Sequence, residues 1–312
     1  MSGPDLLAGR ERALRALELS VKRKLEGLLH GEITGLRSGP GTEPDEARPY
    51  QAGQDDVRRM DWNVTARSLE PHVRAPLAER ELETWALLDA SASMDFGTAL
   101  SEKRDLAVAV VGAVGLLADR PGNRLGVRVA LGNDLRRLPA VGGAMQLRRS
   151  LRTLLSLPRA TPGQVPRTDL GTAITRLNRE HPRPGLRVVV SDFHENGWAE
   201  PLRRLAARHE VIAVEVLDPR ELELPEVGLL TLVDPETGRR REVQTANRKL
   251  RRRYADAMAE HRQETTQAIR AAGAAHLVLR TDTDWVRDVA AFTTARRRAG
   301  VRRNPTGRTG IR

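Results

Sequence analysis

Cysteine is missing from all 312 residues, which removes disulfides, thiolate zinc sites, iron–sulfur clusters and cysteine nucleophiles from consideration. Aromatic residues make up only 3%, so the core has to be built from Leu, Val and Ala. No apolar run approaches the ~20 residues that cross a bilayer. The start, Met1-Ser-Gly-Pro-Asp5, lacks the basic-then-apolar pattern of a signal peptide, and a soluble cytoplasmic chain is expected. The glycine-rich stretch from Gly31 to Gly41 is not followed by Gly-Lys-Ser/Thr. It also lacks the spacing and flanking strand of a dinucleotide loop, so it reads as a turn-rich loop and no nucleotide cofactor is expected.

What is abundant is arginine. The balance of 52 Lys+Arg against 41 Asp+Glu gives a net charge of +11, which suits an acidic partner, a nucleic acid or anionic lipid without choosing among them. Residues 296–312 carry seven Arg and no acid and are expected to form a basic disordered tail. Near the other end, the leucines between Leu6 and Leu29 form the stripe of an amphipathic packing helix.

Between these ends, apolar strands alternate with helical patterns at the spacing of a doubly wound, mostly parallel α/β sheet. Strand-like runs occur at 85–89, 125–131, 186–191, 211–217 and 275–279, with a short one at 135–140 pairing with its predecessor. Asp234-Pro-Glu-Thr-Gly238 turns the chain between two further strands, so a β-hairpin inserted at about 220–246 is expected. The anticipated organisation is an N-terminal module over 1–80, the α/β domain over 81–295 with its hairpin, and the tail.

The stretch that organises the chain is Trp85-Ala-Leu-Leu-Asp89-Ala-Ser91-Ala-Ser93-Met94. An apolar strand ends in a carboxylate, two hydroxyls follow at alternate positions, and a helix pattern follows from about Leu100 to Ala118. Thr168 before another helix, and Asp192 after the run Leu186–Ser191, stand at two other strand-end loops. In a parallel sheet such loops open on one edge, so Asp89, Ser91, Ser93, Thr168 and Asp192 can converge. This hard, oxygen-only donor set suits Mg²⁺ or Mn²⁺ and argues against Zn²⁺. The competing structural reading has the serines merely capping the following helix.

A second constellation lies upstream, where Tyr50, Asp55, Asp56, Arg58, Asp61, Trp62 and Arg67 crowd into one segment. Such a mixture reads as a structural ion-pair and hydrogen-bond network. Asp55 and Asp56 are adjacent, so on an extended chain they point to opposite faces and cannot easily chelate one ion.

Asp89-Ala-Ser91-Ala-Ser93 resembles the first motif of the metal-ion-dependent adhesion site (MIDAS) of von Willebrand factor A domains, with Thr168 and Asp192 where the second and third motifs fall. The segment from Arg48 to Arg67 resembles the signature of the domain of unknown function 58 family, in which Tyr-x-x-Gly-Asp-Asp-x-Arg-x-Ile-Asp-Trp precedes such a domain. Two local departures stand out: Gln54 is an extra residue after Gly53, and Phe193 replaces a glycine common after the third-motif aspartate. Many relatives also carry two membrane helices at the front, which are not seen in this sequence. The resemblance implies a von Willebrand A-like α/β fold. It further implies direct metal contacts from Ser91, Ser93 and Thr168, with Asp89 and Asp192 acting directly or through water.

The wider family is associated with MoxR-type AAA+ ATPases, so the expected role is a non-enzymatic, metal-dependent protein-interaction module working as adaptor to such an ATPase. One alternative is a nucleic-acid binder using the Arg-rich tail. Another is a metal-dependent phosphohydrolase. Against an aspartyl-phosphate enzyme, Ser91 stands where a second carboxylate would be needed; against a serine hydrolase, no Gly-x-Ser-x-Gly elbow accompanies His194.

Overall fold

Two short strands, β1 (Ala47–Pro49) and β2 (His72–Arg74), pair antiparallel and bracket helix α1 (Trp62–Ser68). A computed structural model describes residues 47–51, 56–68, 70–74, 83–118, 122–159 and 167–303. The expected helix at 6–29, the glycine-rich loop, Gln54 and Asp55 lie outside these residues. Two of the crowded acids of the upstream segment, Asp56 and Asp61, serve as caps. Asp56 accepts the Arg58 amide at 3.0 Å to start a 3-10 turn. Asp61 accepts the Asn63 and Val64 amides at 3.0 and 3.2 Å, satisfying donors that the first turn of α1 leaves orphaned. The Tyr50 amide donates to Pro71 O at 2.8 Å. Trp62 is exposed, and Arg67 sits in the last turn of α1, at the negative end of its dipole.

The described chain splits into two compact units, one over Leu82–Phe292 and the other holding the segment from Glu32 to Glu81 and the chain from Thr293. The first unit alternates strands and helices: β3 (Glu83–Asp89), α2 (Lys103–Leu117), β4 (Arg124–Leu131), β5 (Asp134–Val141), α3 (Ala144–Leu155) and α4 (Leu170–Glu180). It continues with β6 (Leu186–Ser191), α5 (Ala199–Ala206), β7 (Glu210–Leu217) and the single turn α6 (Pro219–Leu222). The hairpin β8 (Leu229–Val233) and β9 (Arg240–Gln244) follows, then α7 (Arg248–Ala271) and β10 (Ala275–Arg280); α8 (Trp285–Arg303) starts in this unit and from Thr293 belongs to the other.

Six strands form one sheet in the order β10-β7-β6-β3-β4-β5. All neighbours are parallel except the edge strand β5, which returns antiparallel to β4. This is the expected mostly parallel α/β sheet with its inserted hairpin. One expectation needs correcting: α8 continues to Arg303, past position 296 where the disordered tail was to begin.

Alternation along each strand divides the apolar side chains between two layers. Trp85, Leu87, Val189, Val211 and Ala213 share one cluster with Leu170, Ile174 and Leu177 of α4 and Leu202 and Leu205 of α5. Helix α2 is buried almost all round, as a helix enclosed in a protein interior must be. Gly126 on β4 is required by the buried Trp85 ring, which a Cβ there would meet at 2.5 Å. Among the described residues no helix is long and apolar enough to cross a membrane.

The strand order reverses direction at β3 and β6, which sit side by side. The chain leaves β3 toward β4 on one side and leaves β6 toward β7 on the other. The crevice at the carboxyl ends of such a pair is the usual ligand site of an open α/β sheet.

Candidate metal centre

Asp89 closes β3 at this crevice and is buried. Its Oδ2 accepts the hydroxyl of Ser191, the last residue of β6, at 2.6 Å, and its Oδ1 accepts the Ser91 amide at 2.9 Å. One carboxylate therefore joins the two strand ends and sets the path of the loop. That loop winds into a 3-10 turn, Ala92–Asp95, which brings the Ser91 and Ser93 hydroxyls to 3.1 Å of one another. Ser91 makes no side-chain capping bond to this turn, so the capping alternative does not account for its hydroxyl.

Asp192 follows β6 and is also buried. Its Oδ1 accepts the His194 amide at 3.2 Å and its Oδ2 accepts Lys103 Nζ at 2.9 Å, and Ser93 is close enough to help lower its pKa. Asp89, Ser91 and Ser93 thus form one hydrogen-bonded cluster with Asp192 beside it. Thr168 is anchored differently: its buried hydroxyl accepts the Gly132 amide at 2.9 Å, in the turn that ends β4, next to β3 on the same sheet edge.

The two buried carboxyls are not equivalent. Burial, and then the negative charge of Asp192, push the Asp89 carboxyl up to about 6, despite hydrogen bonds from Ser191 and Ser91 that lower it. Burial acts the same way on Asp192, but the Lys103 ammonium and His194 outweigh it and hold that carboxyl well below the usual range. Burial disfavours charge on Lys103 too, yet Asp192 and Glu221 together raise its pKa and keep it cationic. Lys103 is 0% exposed and bonds to Glu221 at 2.5 Å as well as to Asp192.

Asp192, His194 and Glu221 lie close enough together to suggest a metal cluster of their own. The Lys103 ammonium bonded to both acids already supplies the cation there. His194 is raised in pKa, burial working against the Glu221 and Asp192 interactions that win, and its ring stacks on His261 with centroids 5.6 Å apart.

The donors of the first cluster fit a small divalent ion. Neighbouring ligands of an octahedral ion at about 2.1 Å stand about 3 Å apart, which is the spacing of the two serine hydroxyls. Asp89 has no basic partner among its bonds, so its charge is the one left to be balanced.

Sequence reasoning missed four residues. Lys103 reads as the exposed start of a helix, and Ser191 as the end of a strand. Glu236, in the hairpin turn, accepts the Ser93 amide at 3.1 Å. Asp218 is buried and takes Thr98 N, Thr98 Oγ1 and Thr281 Oγ1 at 2.8, 2.6 and 2.7 Å. Asp218-Pro-Arg-Glu221 is a capping box that its spacing could have revealed.

Phe193, the replacement for the expected glycine, is the single non-glycine residue with positive φ among those described, at 55°. A glycine is natural there because the left-handed region costs an L-residue roughly 1–2 kcal/mol. Here the ring offsets that cost by full burial, edge-on to Trp198 at 4.9 Å.

The chain is similar to several known proteins. The uncharacterized protein Rv1480 of Mycobacterium tuberculosis is 51% identical over 290 residues, spanning 93% of this chain and 90% of that protein. Mb1516 of Mycobacterium bovis matches equally. Among solved structures, the conserved hypothetical protein BatB of Bacteroides thetaiotaomicron is similar at TM-score 0.42 and 17% identity, over 70% of this chain and 99% of that one. The SpRpn10 VWA domain is similar at TM-score 0.36 and 14% identity, over 74% and 100%. The model of the protein of unknown function DUF58 family matches residues 46–264, from the capped upstream segment through most of α7, and the chain belongs to that family.

Proposed function

We propose that the chain is a non-enzymatic interaction module that docks a protein partner through a Mg²⁺ or Mn²⁺ ion held at the β3–β6 crevice. The observation that carries this reading is the grouping of buried Asp89, Ser91 and Asp192 with half-buried Ser93, one carboxyl charge being balanced by Lys103 and the other left open. In this reading Ser91 and Ser93 hold the ion directly, Asp192 and Asp89 hold it directly or through water, and Thr168 completes the set from the neighbouring loop. A bound divalent ion would supply an electrophilic coordination position for a carboxylate from another protein.

The serine donors add no negative charge, so the attraction for an incoming acid is retained. The partner we favour is a MoxR-type AAA+ ATPase, with the present chain as adaptor between it and a client. Pull-down from the native host in Mg²⁺ and in chelator, with wild type and with Ser91→Ala/Ser93→Ala, tests both parts. A MoxR-type ATPase recovered by wild type in Mg²⁺ alone is the expected result. Equal recovery of partners in all conditions would remove the metal from the proposal.

A further inference from the structure

The hairpin β8–β9 brings an acid of this chain to the site. Glu236 Oε1 accepts the Ser93 amide at 3.1 Å across 143 positions of sequence. Ser93 is the residue whose hydroxyl lies 3.1 Å from that of Ser91 and whose side chain is close enough to Asp192 to help lower its pKa. Arg167, the neighbour of Thr168, is close enough to interact with both Glu236 and Asp234. The tip therefore lies beside Ser93 and near Arg167, at the edge of the cluster.

The turn is built to present this residue. Asp234 accepts the Glu236 amide at 3.0 Å and the Thr237 hydroxyl at 2.5 Å, and its carbonyl accepts the Gly238 amide at 2.8 Å. The base of the hairpin is equally fixed. Thr245 is buried and its hydroxyl donates to Gly228 O at 2.8 Å, while Arg251 pairs with Glu226 at 2.7 Å. The arm between base and tip is different: Leu229 is 64% exposed and Val233 45%. Leu230 and Leu232, which alternate with them, are only half-buried, so the polar contacts of the tip add to what keeps the arm docked.

We propose that Glu236 is an internal ligand of the metal centre, held in the position that an acidic residue of a partner would take, and that partner binding displaces the hairpin tip. The inference rests on the metal reading above. It adds that the centre is closed in cis until a competing carboxylate arrives.

Titration calorimetry with Mn²⁺ on the full chain separates the two ideas, using wild type, Ser91→Ala/Ser93→Ala and Glu236→Ala. Hydrogen exchange over residues 229–244, with and without Mn²⁺, accompanies it. If Glu236 is a ligand, Glu236→Ala weakens Mn²⁺ binding roughly tenfold or more. Mn²⁺ then slows exchange at the tip in wild type and has no such effect in Glu236→Ala. Wild type and Glu236→Ala binding Mn²⁺ with the same affinity would overturn the internal ligand while leaving the metal site intact. Wild type that takes up no Mn²⁺ would overturn both.

Discussion

Asp89 carries the sharpest expectation of any single residue. Its carboxyl is pushed up to about 6 by burial and by Asp192, whereas in the unfolded chain it titrates at about 3.9. Between these values the folded protein binds more protons than the unfolded one, so stability falls as pH rises through the window. Two pH units correspond to roughly 3 kcal/mol. Asp192, lowered by Lys103, works in the opposite sense and contributes stability that is lost on acidification. Asp89→Asn cannot titrate, so in metal-free buffer its stability relative to wild type should rise from pH 4 to pH 7. Urea titrations of both proteins at several pH values check this, and parallel pH profiles would contradict the assignment. The same residues show what could be read from sequence. Asp89, Ser91 and Ser93 were legible because strand, carboxylate and hydroxyls are contiguous. Lys103 and Glu236 were not, because a helix-start lysine and a turn glutamate look like ordinary surface residues until long-range folding buries one and docks the other.

At the scale of elements, periodicity located every strand of the central sheet and the inserted hairpin, because those runs are apolar and bounded by turn residues. The extension of α8 to Arg303 was missed because a run of Arg was read for its charge, although arginine is a good helix former. The elements are tied together by Asp218 at the end of β7. It accepts hydrogen bonds from Thr98 in the loop before α2, from Arg220 in α6 and from Thr281 after β10. Asp218→Ala would leave the buried Thr281 hydroxyl and the Thr98 amide without this acceptor. It should destabilise the domain by about 3 kcal/mol, read as a lower urea midpoint at unchanged slope. A loss below about 1 kcal/mol would mean that water replaces the carboxylate.

For the whole molecule, the topology does what no local pattern can: it places the ends of β3 and β6 side by side although Asp89 and Ser191 are 102 positions apart. Neighbouring strands and their order are not encoded in any one segment, so the sequence could say that strand-end loops share an edge but not which pair forms the crevice. If a divalent ion binds there only in the folded chain, it must stabilise the whole domain by mass action. Mg²⁺ at about 100 times its dissociation constant should add about 2.7 kcal/mol to wild type and nothing to Ser91→Ala/Ser93→Ala. Thermal unfolding across a Mg²⁺ series reads this directly.

The Lys103 ammonium, enclosed between Asp192 and Glu221, also sets what an arriving ion would meet. The charge of Asp192 is already shared with a permanent cation, and below about pH 6 Asp89 has to surrender a proton before it can contribute. Uptake of metal would then release that proton, making occupancy weaker in acid. A centre whose Asp192 is already paired with Lys103 would hold its ion less tightly than one with every carboxylate free. Docking through it would follow the ambient Mg²⁺ level and pH, more like a dial than a rivet.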